Sequence, residues 1–189
     1  MPQVKGVAIL GLIKFIKKQP GDLMPRVKSM LPQDSVGYLD EHILMSKWYP
    51  YRLYTDMLKA LDSILGKEKP EFCIEQGRLA AQDNISTLFK VFIKFINIKI
   101  LLTQVMNMWN SYFDTGKVEV SSYTEHGKDR HLTIIIKDFP DIDINHVKSV
   151  MGWIEQFLIM SKFTTTVKSR LVKCQSSGDP ITEMHFTDE

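Results

Sequence analysis

Cysteine is almost missing from this sequence: 189 residues hold two, Cys73 and Cys174, in neither a CxxC nor any metal-type spacing. That argues against a disulfide-stapled secreted scaffold and predicts free thiols in a reducing compartment, the cytoplasm. Long apolar runs are missing too. Val91 to Leu102 is the nearest to a membrane span, and Lys94 and Lys99 interrupt it. Val7 to Ile13 is apolar but runs into Lys17 and Lys18 with no small-residue cleavage site, so neither a span nor a secretion signal is expected. Charge of one sign is scarce as well: a net +2 is too little to imply a nucleic acid or another polyanion as partner. Internal repeats and low-complexity segments are absent.

What the chain does have is ordinary globular substance, 44% apolar and 24% charged residues, enough for a core without staples. Its periodicity is helical first. Val7, Leu10, Ile13 and Ile16 mark a helix over 5–18 that stops before Pro20; Asp22 opens a short helix that Pro32 ends; a turn lies near Ser35 to Asp40. Pro50 fits the first turn of a helix with the stripe Leu53, Met57, Leu61 and Ile64, closed by Gly66. A long helix is expected over 71–95, through Ile74, Gly77, Ala81, Ile85, Leu88, Phe92 and Phe95. Another runs over 98–113, with Gly116 as its C-terminal cap.

After Gly116 the period becomes two. Val118 and Val120 alternate with Glu119 and Ser121, a polar turn over 125–130 follows, and Leu132 to Ile136 resumes, which is a hairpin. A helix bearing Val147, Val150, Met151, Ile154, Phe157 and Leu158 comes next. Phe163 to Lys173 and Ile181 to Phe186 then read as two more strands joined by a turn. The expected fold is therefore α+β: a helical layer packed on an antiparallel sheet of about four strands, ordered strand, strand, helix, strand, strand in the C-terminal third. One domain over 1–189 is expected, helical in 1–115 and sheet-forming in 116–189.

Catalytic and metal signatures are weak. Asp141, Asp143 and Asn145 begin like a calcium loop, but His146 and Gly152 stand where its glycine and glutamate belong, so capping of the next helix by Asp143 or Asn145 is the better reading. Asp114, Thr115 and Gly116 spell the aspartic-protease tripeptide once, at a helix end, where a turn is expected. His42, His126, His131, His146 and His185 make no zinc-type helical pair; His126 and His131 flank the hairpin turn. Gly6 and Gly11 have phosphate-loop spacing but lack its lysine, and no GxSxG occurs. Cys73 reads as core packing. Glu75, Arg78 and Asp83 are the least implausible polar cluster for an enzyme, with Arg78 expected to pair with an acid. The aromatics are more informative: Trp48, Tyr49 and Tyr51 around Pro50 form a stiff amphipathic corner that serves as core anchor or pocket wall, and Phe89, Phe92, Phe95, Met106, Met108 and Trp109 add bulk for a cavity or a dimer interface.

The order of landmarks carries a resemblance. Trp48 to Pro50 before a helix, Glu75 to Ala80 in the next, Trp109 to Gly116 into a hairpin, Gly152 and Trp153 in the late helix, and Lys173 to Asp179 before the last strand resemble an uncharacterised bacterial family best known from myxobacteria. That family is similar to the vinyl-reductase-type sensor domain and, through it, to the ligand-binding fold of relatives of haem nitric-oxide sensors and of TRAPP vesicle-tethering subunits. The resemblance implies a helical layer on an antiparallel sheet, often dimeric, with an apolar pocket that takes a small or acyl-like ligand or serves association. Thr182 follows the Gly178 to Ile181 turn, where relatives carry a second cysteine, so a paired-cysteine metal site is not expected. No histidine is placed to ligate haem, and no cofactor is expected.

The first hypothesis is a non-enzymatic sensing domain that binds a small apolar ligand in a pocket lined by Trp48, Tyr51, Phe89, Phe92, Trp109 and Trp153, with no catalytic and no metal residues. The alternative is a dimeric adaptor or tethering module that binds another protein.

Overall fold

A computed structural model describes residues 1–84, 98–103, 105–126, 129–161 and 164–188. The expected positions Phe89, Phe92 and Phe95, and the second half of the helix expected over 71–95, lie outside the described residues. The helices are α1 (Gly6–Lys18), α2 (Met24–Met30), α3 (Gln33–Asp40), α4 (Tyr51–Leu65), α5 (Phe72–Asn84), α6 (Ile98–Thr103), α7 (Val105–Asn110) and α8 (Ile144–Met160). The strands are β1 (Gln3–Lys5), β2 (Trp48–Pro50), β3 (Lys117–His126), β4 (Asp129–Lys137), β5 (Val167–Lys173) and β6 (Thr182–Asp188). The architecture is α+β, with a four-stranded antiparallel sheet ordered β3-β4-β6-β5 and a small β1-β2 sheet.

The large sheet follows from its alternation. Leu132, Ile134 and Ile136 on β4 sit opposite Phe186, Met184 and Thr182 on β6, and all six are buried on the face that the helices cover. Lysines and glutamates hold surface positions at the sheet's ends, where Lys173 pairs with Glu183 at 2.9 Å and Lys137 with Glu119. The helix expected over 98–113 ends at Asn110, so Gly116 does not cap it; Gly116 instead takes a left-handed φ of +87° in the turn that enters β3.

Three details differ from the sequence reading. In α1 the buried face is Ala8, Ile9, Leu12, Phe15 and Ile16, while Val7, Leu10 and Ile13 are only half-buried. Almost every residue from Val7 to Ile13 is apolar, so Lys14, Lys17 and Lys18, which must stay in water, fix the rotation of the helix. Ser35 to Asp40 is helix rather than turn. Pro50 ends β2 just ahead of α4; β1 pairs Val4 with Tyr49 and ties the start of the chain to the mouth of that helix. Strands of three residues are too short to show a period.

Helices α5 and α8 cross backbone to backbone. A Cβ at Gly77 would stand 1.9 Å from the Ser149 carbonyl oxygen, and one at Gly152 would stand 2.0 Å from that of Ile74. Glycine at both positions is what permits the approach. The crossing is locked alongside by Glu155 of α8, whose buried carboxylate takes Arg78 of α5 at 2.7–2.8 Å and the Ser169 hydroxyl of β5. Because α8 lies between α5 and the sheet, it is buried nearly all round, polar residues included.

Candidate functional site

The site is built on one buried face of that same helix. Asp143 caps α8 by accepting the Asn145 N–H at 2.9 Å, one of the two caps expected, and its carboxylate also meets Lys59 at 3.5 Å. His146, Ser149, Val150, Trp153 and Phe157 then follow at three- and four-residue steps on one face. They form one wall of a cavity of about 100 Å³. Gln76 and Ala80 of α5, Tyr54 of α4, Leu102 of α6, Met108 and Trp109 of α7, and Val118, Leu132 and Ile134 of the hairpin are among the residues that close it off. Not one of these lining side chains is charged.

His146 is the centre of this arrangement, and sequence reasoning passed over it. It is 1% exposed and surrounded by the rings of Phe113 (centroids 4.4 Å apart), Tyr51 (5.3 Å), Tyr54 (5.5 Å), Trp109 (5.9 Å, stacked) and Phe139 (6.2 Å). The Tyr51 hydroxyl accepts the Asp143 N–H at 3.2 Å, which leaves its own hydrogen to donate to His146 Nδ1 at 2.7 Å. With Nδ1 accepting, the ring hydrogen sits on Nε2, a buried atom with no hydrogen-bond partner among the described residues. Burial holds the pKa of His146 down to about 3 and pushes the Tyr51 phenol far above its ordinary value. The imidazole is therefore neutral at neutral pH.

A second polar chain lies one turn on. Tyr54 donates to Ser149 Oγ at 3.3 Å and Ser149 donates to Gln76 Oε1 at 2.5 Å. Trp109 gives its indole N–H to the Thr115 carbonyl at 2.9 Å, whereas the buried indole nitrogen of Trp153 has no partner among the described residues.

Of the residues expected to line a pocket, Trp109 and Trp153 do so. Tyr51 stands behind His146 and orients it rather than touching the cavity. Trp48 is not part of the wall: it lies on β2, half-buried, with the Lys5 ammonium 4.2 Å above its ring. The enzyme cluster is not assembled either, because Arg78 turns to Glu155 and Asp83 to Lys14 at 2.8 Å. His131 pairs across the hairpin with Thr124, and His126 with Asp129, so those histidines are not opposite one another. Among the described residues no three His, Cys, Asp or Glu side chains converge as metal ligands. Cys73 is fully buried, with its thiol pushed up by desolvation, as core packing requires. No described helix is long and apolar enough to cross a membrane.

No family model and no curated protein matches the chain in sequence. Solved structures match it in fold. The Fe(II) unliganded H-NOX protein from K. algicida superposes with a TM-score of 0.68 over 98% of this chain and 97% of that one, at 11% identity. The H-NOX protein from S. oneidensis in the Fe(II)NO ligation state gives 0.65 over 96% and 97%, also at 11% identity. At such identities the likeness is one of fold, and it extends over nearly the whole of each chain.

A fold of this kind raises the question of haem, and the residues lining the cavity do not fit one. Its volume of about 100 Å³ is far short of a porphyrin. No charged side chain among the described lining is available to a propionate. The one histidine there presents a ring N–H, a donor, where an iron needs a lone pair.

Proposed function

We propose that this chain is a ligand-sensing domain, non-enzymatic and cytoplasmic, with residues 1–189 forming a single unit around the cavity. The observation that carries the reading is the cavity itself: a void between the helical layer and the sheet, walled by apolar and aromatic side chains with a few convergent polar groups, the usual composition of a small-molecule site. The fold shared with H-NOX proteins, one of them solved with Fe(II)NO, supports a sensing role. The narrower kinship with the vinyl-reductase-type sensor domain, and with TRAPP subunits, rests on the ordered landmarks of the sequence.

Native mass spectrometry of the chain purified from its own host tests the reading. A small molecule retained at one copy per chain, lost on denaturation, supports it; a chain that is empty and takes up nothing from a library of small apolar compounds sinks it. The second reading, a dimeric adaptor that binds another protein, draws on the exposed apolar side chains of Leu44 and Met45, 52% and 63% accessible in one loop. Sedimentation decides that one, since a monomer at micromolar concentration is incompatible with a stable homodimer.

A further inference from the structure

The two orphaned nitrogens of the cavity wall are both hydrogen-bond donors. His146 Nε2–H and Trp153 Nε1–H are buried without an acceptor among the described residues, on the same face of α8, beside a void. An unmatched buried donor loses its hydration with nothing in return, and native interiors rarely leave two together. The neighbouring polar groups show no such lack: Tyr51, Tyr54, Ser149 and Trp109 all have partners. We propose, building on the ligand-sensing reading above, that the cavity takes a small neutral carbonyl compound, its oxygen accepting from His146 Nε2–H, with Trp153 Nε1–H as the second donor on that wall.

The ligand's chemistry follows from what the wall offers. Two donors call for an acceptor atom, which a plain hydrocarbon lacks. The acceptor is neutral because no described lining residue is charged and the imidazole, held down to about 3, carries no charge to meet a carboxylate. A bare carboxylate there would lose its hydration without an ion partner. The remaining wall, Val150, Leu132 and Ile134 among it, is apolar and suits a hydrocarbon body. About 100 Å³ limits that body to a single small ring or a short chain, so cyclopentanone is a fair probe.

The experiment titrates the full chain calorimetrically with cyclopentanone, with methylenecyclopentane, the same shape without the oxygen, and with cyclopropanecarboxylate. The ketone is expected to bind about tenfold tighter than the alkene, the worth of one buried hydrogen bond, and the carboxylate more weakly than both. Trp153→Phe, which keeps a ring in place, should cut the preference to about threefold, and His146→Phe should bring it to twofold or less. Should His146→Phe fail to fold, Trp153→Phe still reads the effect. Equal binding of ketone and alkene, or no binding of either, overturns the proposal while leaving the ligand-sensing reading to the native mass spectrometry above. Carboxylate binding as tight as ketone binding overturns the neutral class. One-to-one uptake of haem, with a Soret band that vanishes in His146→Phe, also overturns it, because Nε2 would then be a metal ligand.

Discussion

Replacing Gly77 with alanine adds one methyl group at the point where α5 and α8 touch. Its carbon would stand 1.9 Å from the Ser149 carbonyl oxygen and 2.8 Å from the Trp153 nitrogen, both backbone atoms that no rotamer change can move. To reach even the 3.0 Å lower limit of real Cβ contacts, α8 must retreat by about 1 Å. Overpacking of a tight core costs roughly 1–3 kcal/mol, and a clash against backbone belongs at the upper end, so a loss of about 3 kcal/mol is expected. In a chain of this length that corresponds to a Tm lower by roughly 6–12 °C. Gly152→Ala, which meets the Ile74 carbonyl at 2.0 Å, should cost about the same. Once the helices have separated for one methyl, the second fits at little further cost, so the double variant should lose clearly less than the sum. Calorimetric melting of the four proteins checks this. A Gly77→Ala protein within about 0.5 kcal/mol of the parent, or strictly additive losses, would refute the close crossing.

Other outcomes follow from the same contacts. His146 has a folded pKa of about 3 against 6.5 for the free side chain, so between those values the unfolded chain binds a proton the native one does not, and stability falls as pH falls through 6.5. Between pH 7 and 4.5 this single group should remove roughly 2.5 kcal/mol, and urea unfolding of His146→Gln should show a pH dependence shallower by that amount. Arg78→Ala strands the Glu155 carboxylate and should cost about 3 kcal/mol at neutral pH, most of it restored in Arg78→Ala with Glu155→Leu. Lys117→Ala, which breaks a fully exposed ion pair with Asp138, should leave the urea midpoint at neutral pH unchanged within error. Cys73 and Cys174 are both buried and free, so a thiol reagent should label neither until urea unfolds the chain.

The sheet was legible because alternation is a local signal. Val118, Val120 and then Leu132 to Ile136 announce a hairpin, and the short turn near Gly178 fixes how β5 and β6 pair. Asp143 as a helix cap was equally readable, being a matter of two neighbouring residues. The site was less so. Trp109 and Trp153 could be named from bulk alone, but His146 gains its meaning from Tyr51, 95 positions earlier, and no spacing rule links them. Searching histidines for metal-type pairs directs attention away from a lone one whose partner is a phenol. A usable signal was nonetheless present: His146 lies on the same helical face as Val150, Trp153 and Phe157, a titratable group within an apolar stripe. Gly77 and Gly152 were both noticed as landmarks, yet that they face each other is a tertiary fact. Trp48 was misplaced because an aromatic beside a proline looks alike whether it faces a cavity or carries a lysine on its outer side.

What the cavity wall offers a ligand depends on which nitrogen of His146 carries the proton. A long-range ¹H–¹⁵N correlation spectrum of the histidine side chains, recorded from pH 7 to pH 5, reads this directly. A neutral ring protonated at Nε2, unchanged across that range, and shifted by cyclopentanone at Nε2–H, is the predicted result. A ring protonated at Nδ1, or one that becomes imidazolium within the range, would contradict it, since the cavity would then face a lone pair or a charge rather than a neutral donor.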